Sequence, residues 1–179
     1  MRDDGKIFPY LDLKPRIGPT VFLAPGVKIV GDVEIGEEAS VWFNTVIRGD
    51  VNYVRIGART NVQDCSMLHV TRETHPLVIG SGCTIGHSVK LHGCTLEDEC
   101  LVGVGAVVLD GATVEKHAAV ASGAVVTPGA RIPSGTLAAG VPAKPLRDLS
   151  PEEVGDLPAS AERYVKFAKL TAQSIGGAE

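Results

Sequence analysis

Val102–Leu137 reads VGVGAV, VLDGAT, VEKHAA, VASGAV, VTPGAR, IPSGTL: one pattern, six residues long, repeated six times. Each repeat opens on a branched aliphatic (Val102, Val108, Val114, Val120, Val126, Ile132). Its fifth position is small or β-branched (Ala106, Ala112, Ala118, Ala124, Ala130, Thr136). Neither the 3.6-residue period of a helix nor the alternation of a flat strand generates a period of six. A short strand followed by a sharp corner does. The aliphatic fills the strand interior, and the small residue fits where the corner pinches inward. A single repeat is too short to bury anything alone, so successive coils must stack, spaced as neighbouring strands are.

Worked outward in both directions, the aliphatic slot runs from Ile17 through Ile47, Leu68 and Leu91 to Ala143, giving 20 repeats. Three places break the count. Three extra residues separate Ile47 from Ile56, five extra separate Leu68 from Ile79, and one is missing between Leu91 and Leu96. The extras are expected to bulge at corners, which keeps the register, and irregular loops on a rigid scaffold commonly carry function. The pattern resembles the hexapeptide-repeat superfamily. That resemblance, not the spacing, implies a left-handed parallel β-helix with three repeats per triangular coil, about seven coils in all. AAGVPAKPL (Ala138–Leu146) is similar to that superfamily's usual exit from the helix.

Composition agrees with such a core. Hydrophobic residues reach 44% while aromatics are only 4%, so Val, Ile, Leu and Ala must fill the interior; 21 glycines and 11 prolines supply the turns. A net charge of −4 without a basic run argues against nucleic acid as a partner. MRDDGKIFPY lacks the apolar stretch of a signal peptide, and no segment is long enough to span a membrane, so a soluble, cytoplasmic protein is expected. The cysteines form no CxxC pair; Cys83 and Cys100 occupy the small-residue slot and read as core, whereas Cys65 and Cys94 fall at corners. Residues 1–146 are read as the all-β, left-handed β-helix domain and 147–179 as a C-terminal helical tail packing on it or on a neighbour. In the tail, Ser150-Pro151-Glu152-Glu153 reads as a helix start, Gly155 and Pro158 as interruptions, and 159–174 as the α-helix.

Counting three repeats per coil places Ile47, Leu68 and Leu91 on one face of successive coils. Arg48, His69 and His92 follow them and should stack in an outward column. On the preceding face, Asp64 and His87 follow Val62 and Ile85 and should stack likewise. His69 and His92 then offer two legs of an ion site. His87, across the corner, must reach a neighbouring subunit, and a cyclic homotrimer supplies that third leg at each interface. Three neutral imidazoles with an open fourth position are a ligand set for catalytic zinc, and iron(II) or cobalt would also fit.

The constellation resembles the gamma-class carbonic anhydrases and their relatives. It does so through Arg48 and Asp50 in IRGD, Asn61, Gln63 and Asp64 in NVQD, His69 in MLH, His87 and His92 in GHSVKLHG, and Tyr164 in ERYV. The resemblance implies a trimer with His69, His87 and His92 as metal ligands, acting as a lyase that interconverts carbon dioxide and bicarbonate by a water activated on the metal. Gln63 would position water or substrate, Asp50 and Asp64 would tune it, Arg48 would fix the carboxylates, and Tyr164 would approach from the tail helix. The first insertion carries Asn52, Tyr53, Val54 and Arg55 without an acid, as in the shorter-looped relatives. That implies an activity on the low side and leaves His75 or Glu73 as the proton carrier. Two other readings share the fold: a hexapeptide acyltransferase using acyl-coenzyme A with a histidine base, and a non-catalytic, metal-stabilised trimer.

Overall fold

The computed structural model describes residues 6–176; the first five residues and the last three of the two expected domains lie outside it. Short strands alternate with corners up to Asp148, and a single helix, α1 (Pro151–Gly176), follows. The chain is a left-handed parallel β-solenoid of about seven coils with one C-terminal helix.

The period of six sets the register. On one face Ile17, Ile35, Ile56, Ile79, Leu96, Val114 and Ile132 pair in succession. A second face runs from Leu23 through Val62 and Ile85 to Ala138. The third runs Ile29, Ile47, Leu68, Leu91, Val108, Val126. These aliphatics point inward and form one core, with Ile29, Ile47, Leu68, Ile85 and Leu91 essentially inaccessible. Cys83, Cys100, Ala106 and Ala112 fill the narrow corners with no more than 1% exposure. Cys94, expected at a corner, is also core, and burial pushes its thiol up to about 12.

The insertions do more than bulge. The first is absorbed into one long strand, Val46–Ile56, which rounds a corner beside Lys28–Ile35. It pairs with Met67–His69 on one face and Leu77–Ile79 on the next, joining two faces into a twelve-stranded sheet. The second insertion closes on itself through an antiparallel bridge between Thr71 and His75. At the far end, Ala143–Asp148 doubles back antiparallel to Thr136–Gly140.

The tail departs from expectation: α1 is continuous through Gly155 and Pro158. Pro158 removes one intrahelical donor, but Leu157, Ser160, Ala161, Val165 and Ala168 are all buried against the second face. Tertiary packing of that stripe outweighs local propensity. A capping box starts the helix: the Glu153 amide donates to Ser150 Oγ (3.2 Å), and the Ser150 amide donates to Glu153 Oε2 (2.8 Å). Arg147 adds two bonds of 2.7 Å to the same carboxylate. The Arg147 bonds first, then the Ser150 amide, pull Glu153 from an ordinary 4.5 to about 2. A depressed carboxyl stabilises the folded state above its unfolded pKa and loses that contribution as pH falls through the folded one. The docked helix should therefore weaken between pH 4.5 and 2, and Glu153→Gln should abolish that part of the acid dependence. Far-UV ellipticity across this range, which α1 dominates, checks it; because the pair is exposed, added salt should shrink the difference. Among the described residues no helix is long and apolar enough to cross a membrane.

Candidate metal centre

The third face delivers the imidazole pair. His92 lies directly opposite His69 in the parallel ladder, each one residue beyond a buried leucine. The leucines point inward, so the pleat sends both histidines outward, side by side. Their rings meet edge to face, with centroids 5.1 Å apart, and His69 Nδ1 stands 3.1 Å from His92 Nε2.

Each ring is held from behind by a carboxylate. His69 Nε2–H donates to Asp50 Oδ1 at 3.0 Å, and His92 Nδ1–H donates to Asp110 Oδ1 at 2.6 Å. Arg48 pairs with the other oxygen of Asp50, and Thr71 Oγ1 donates to the other oxygen of Asp110 at 2.8 Å. Burial pushes the Asp50 carboxyl upward, but the bonds from His69 and Arg48 and the Arg48 charge outweigh it and hold the group below its ordinary value. At Asp110 burial is likewise outweighed, by the bonds from His92 and Thr71. Arg48 and Asp50 are thus partners within one chain.

A second cluster lies across the corner. His87 Nδ1 stands 2.6 Å from Asp64 Oδ2, and Asp64 Oδ1 accepts the Phe43 amide at 3.2 Å. Gln63 Nε2 donates to Asn61 Oδ1 (3.1 Å), and Asn61 in turn donates to Thr84 Oγ1 (3.0 Å) beneath α1. Tyr164 reaches from α1 edge-on to Trp42, with ring centroids 5.6 Å apart. Burial, and then the Asp64 charge, push its hydroxyl above the ordinary value. Trp42 is buried beneath the helix with its indole N–H bonded to Ser40 Oγ at 3.0 Å. Trp42, Tyr164, Phe167 and Leu170 wall a cavity of about 310 Å³ that opens onto Asp64 and His87.

The residues singled out in the sequence thus fall into two groups. Arg48, Asp50, His69 and His92 come together on one face; Gln63, Asp64, His87 and Tyr164 gather on the next. Among the described residues, no three His, Cys, Asp or Glu side chains of a single chain are grouped to hold a metal ion. The sequence reading missed Asp110. Its Asp-Gly in VLDGAT looks like an ordinary turn, yet one more step along the Leu68–Leu91–Val108 column would have placed it beside His92.

The pair nonetheless fits a cation. With their N–H groups given to Asp50 and Asp110, His69 Nδ1 and His92 Nε2 face each other lone pair to lone pair at 3.1 Å. Only a proton or a cation between them relieves that contact. Two nitrogens on one tetrahedral zinc at about 2.0–2.1 Å lie about 3.3–3.4 Å apart, close to this spacing. A carboxylate behind each imidazole is also the usual support of a metal-binding histidine.

A family model described as bacterial transferase hexapeptide (six repeats) matches residues 14–49. The chain is 51% identical over 165 residues to Protein YrdA of Escherichia coli, covering 89% of this chain and 90% of that protein. It is 52% identical over 153 residues to a probable carbonic anhydrase of Methanocaldococcus jannaschii, covering 86% of this chain and 96% of that protein. A mitochondrial gamma carbonic anhydrase 1 of Arabidopsis thaliana is 46% identical over 166 residues, 90% of this chain and 60% of that protein. The chain belongs to the gamma carbonic anhydrase-like family of hexapeptide-repeat proteins. Within the fold it is also similar to the crystal structure of a putative acetyltransferase from Bacillus cereus, with TM-score 0.90, 43% identity, and coverage of 92% of this chain and 95% of that one. The proteins similar to this chain thus carry names that point to different chemistries.

Proposed function

We propose that the chain is a metal-dependent lyase of the carbonic anhydrase type, hydrating carbon dioxide reversibly at sites shared between the subunits of a homotrimer. The observation that carries this reading is the imidazole pair, His69 Nδ1 and His92 Nε2, 3.1 Å apart and each backed by a carboxylate. His69 and His92 of one subunit, with His87 of the next, would hold zinc, iron(II) or cobalt. When bound, such a cation supplies a Lewis acid that makes water nucleophilic near neutral pH.

This chain's own residues set the rest. Asp50 and Asp110 each take one ring N–H and so leave the opposite nitrogen of His69 and His92 as the donor to the cation; Asp64 stands beside Nδ1 of His87, whose Nε2 would serve in the same way. Arg48 neutralises Asp50. Gln63 spends its amide N–H on Asn61, which leaves its carbonyl oxygen to accept a hydrogen bond from water. The apolar surface of Trp42, Phe167 and Leu170 beside His87 suits an uncharged, nonpolar substrate. Glu73 lines a surface cavity with Asp50, and His75 lies over Gly93 beside Asp110, so each stands near one carboxylate as a proton carrier.

A second reading, acyl transfer from acyl-coenzyme A, is favoured by the cavity beside the His87–Asp64 couple, which is far larger than carbon dioxide needs, and by the naming of the Bacillus cereus relative. One experiment separates the two. The purified protein is analysed for metal, stripped, and reloaded with zinc, iron(II) or cobalt, then assayed by stopped-flow hydration and by acetyl-coenzyme A turnover. Hydration that vanishes on stripping and returns on reloading is the expected result. Bound metal with no hydration in any form would leave only a metal-stabilised trimer, and coenzyme A release would move the chain to the acyltransferases.

A further inference from the structure

The two insertions interlock, and that link has no part in the chemistry above. The first, in Val46–Ile56, donates from Asn52 Nδ2 to the Thr71 carbonyl of the second at 3.1 Å. Thr71 is pinned further by its bridge to His75. Its hydroxyl donates to Asp110 Oδ2 at 2.8 Å, and the other oxygen of Asp110 accepts His92 Nδ1–H at 2.6 Å. The approach is built to be tight. A Cβ on Gly93, whose φ is +52°, would sit 2.3 Å from Asp110 Oδ1 and 2.7 Å from His75 Cβ, so only glycine lets the carboxylate reach the ring behind it.

We infer that the two breaks in the repeat form an orienting brace, Asn52–Thr71–Asp110, whose task is to fix the tautomer and rotation of His92 so that Nε2 faces His69. Asp110 and Thr71 are positioning residues, acting through His92. The inference rests on the reading of His69 and His92 as metal ligands. A carboxylate fixed at both oxygens can accept only a ring N–H on the imidazole side, so the neutral ring carries its proton on Nδ1. An amide in its place could turn its NH₂ toward the ring and reverse that choice. Loss of such outer partners typically weakens metal affinity 10- to 100-fold.

The test uses the intact assembled protein. With ¹⁵N-histidine, the metal-free form is examined above the ordinary imidazole pKa of about 6.5, and long-range ¹H–¹⁵N correlations report which nitrogen of His92 is protonated. Wild type should show Nδ1–H; Asp110→Asn should show Nε2–H or a mixture. Competition with a chromophoric chelator should find zinc bound about 10- to 100-fold more weakly in Asp110→Ala. Thr71→Val should lose less than about tenfold, with Thr71→Ser restoring wild-type affinity, and Asn52→Ala should move in the same direction as Thr71→Val. Should the Asp110 variants fail to fold, the Thr71 and Asn52 variants, whose side chains lie outside the buried core, decide the matter. An unchanged tautomer in Asp110→Asn, or unchanged zinc affinity in both Thr71→Val and Asp110→Ala, would overturn the brace. Because tautomer and affinity are read without turnover, the brace stands if they respond as expected in a protein that hydrates nothing, and falls if they do not respond in one that hydrates well.

Discussion

His87→Ala and His92→Ala, each inactive alone, should together recover about a quarter of wild-type hydration once their chains are dissociated, mixed equally, reassembled and supplied with zinc. Each substitution removes one imidazole from every site of its own trimer. Activity should then fall at least about 10³-fold, a loss of at least ~4 kcal/mol of transition-state stabilisation. In a mixed trimer the arithmetic changes. A shared site is intact where a chain with native His69 and His92 is followed by one with native His87. Any trimer holding both chain types has one such interface among three, and three-quarters of randomly assembled trimers are mixed, hence about a quarter of the sites. The geometry behind this is the separation of the two clusters: His87 is tied to Asp64 on the second face while His69 and His92 stand on the third. If mixing restores nothing while each parent folds and exchanges chains, the shared site is wrong.

Leu68→Ala should be among the most destabilising single substitutions. Leu68 is fully buried, paired between Ile47 and Leu91 in the middle of the third face. A triangular coil offers few ways to collapse around a missing side chain, because the coils above and below are locked in register. The cost should therefore lie in the range of about 2–5 kcal/mol seen for buried leucine truncation, a large share of the 5–15 kcal/mol that about describes a domain's whole stability. The cavity would open directly beneath His69, so zinc affinity should fall as well. Denaturant unfolding at fixed protein concentration and fixed metal load measures the first effect. A cost under about 1 kcal/mol would mean that this column does not carry the core.

Much of this architecture was legible in the residue count. Ile47 beside Leu68, Leu68 beside Leu91, and Val62 beside Ile85 are neighbours because the insertions are taken up at corners, the first with a register shift opposite Gly31–Val33, so a tally of sixes is also a tally of coils. The stacking of His92 on His69 and of His87 near Asp64 follows from the same tally. What could not be read was anything decided across coils by side-chain reach. Asp110 sits in an unbroken repeat and gives no local sign that His92 lies beside it. Arg48 and Asp50 bond within one strand because two residues on the same face of a pleat can meet there. Nor could α1 be read as continuous, since Pro158 and Gly155 argue locally against it and only burial of Leu157, Ala161 and Val165 overrides them.

Identical rungs contain no instruction to stop. A last rung left bare would show a row of unsatisfied amides and carbonyls to the first rung of another molecule, and end-on growth into fibres would follow. The chain reversal at Gly140–Ala143 prevents this on the second face: Ala143–Asp148 covers the final parallel strand with one running the other way. That outer strand is a poor template, for Pro145 has no amide hydrogen, Lys144 puts an exposed charge on the rim and Arg147 is taken up by Glu153. The length of this molecule is thus fixed by a short terminator that belongs to no repeat.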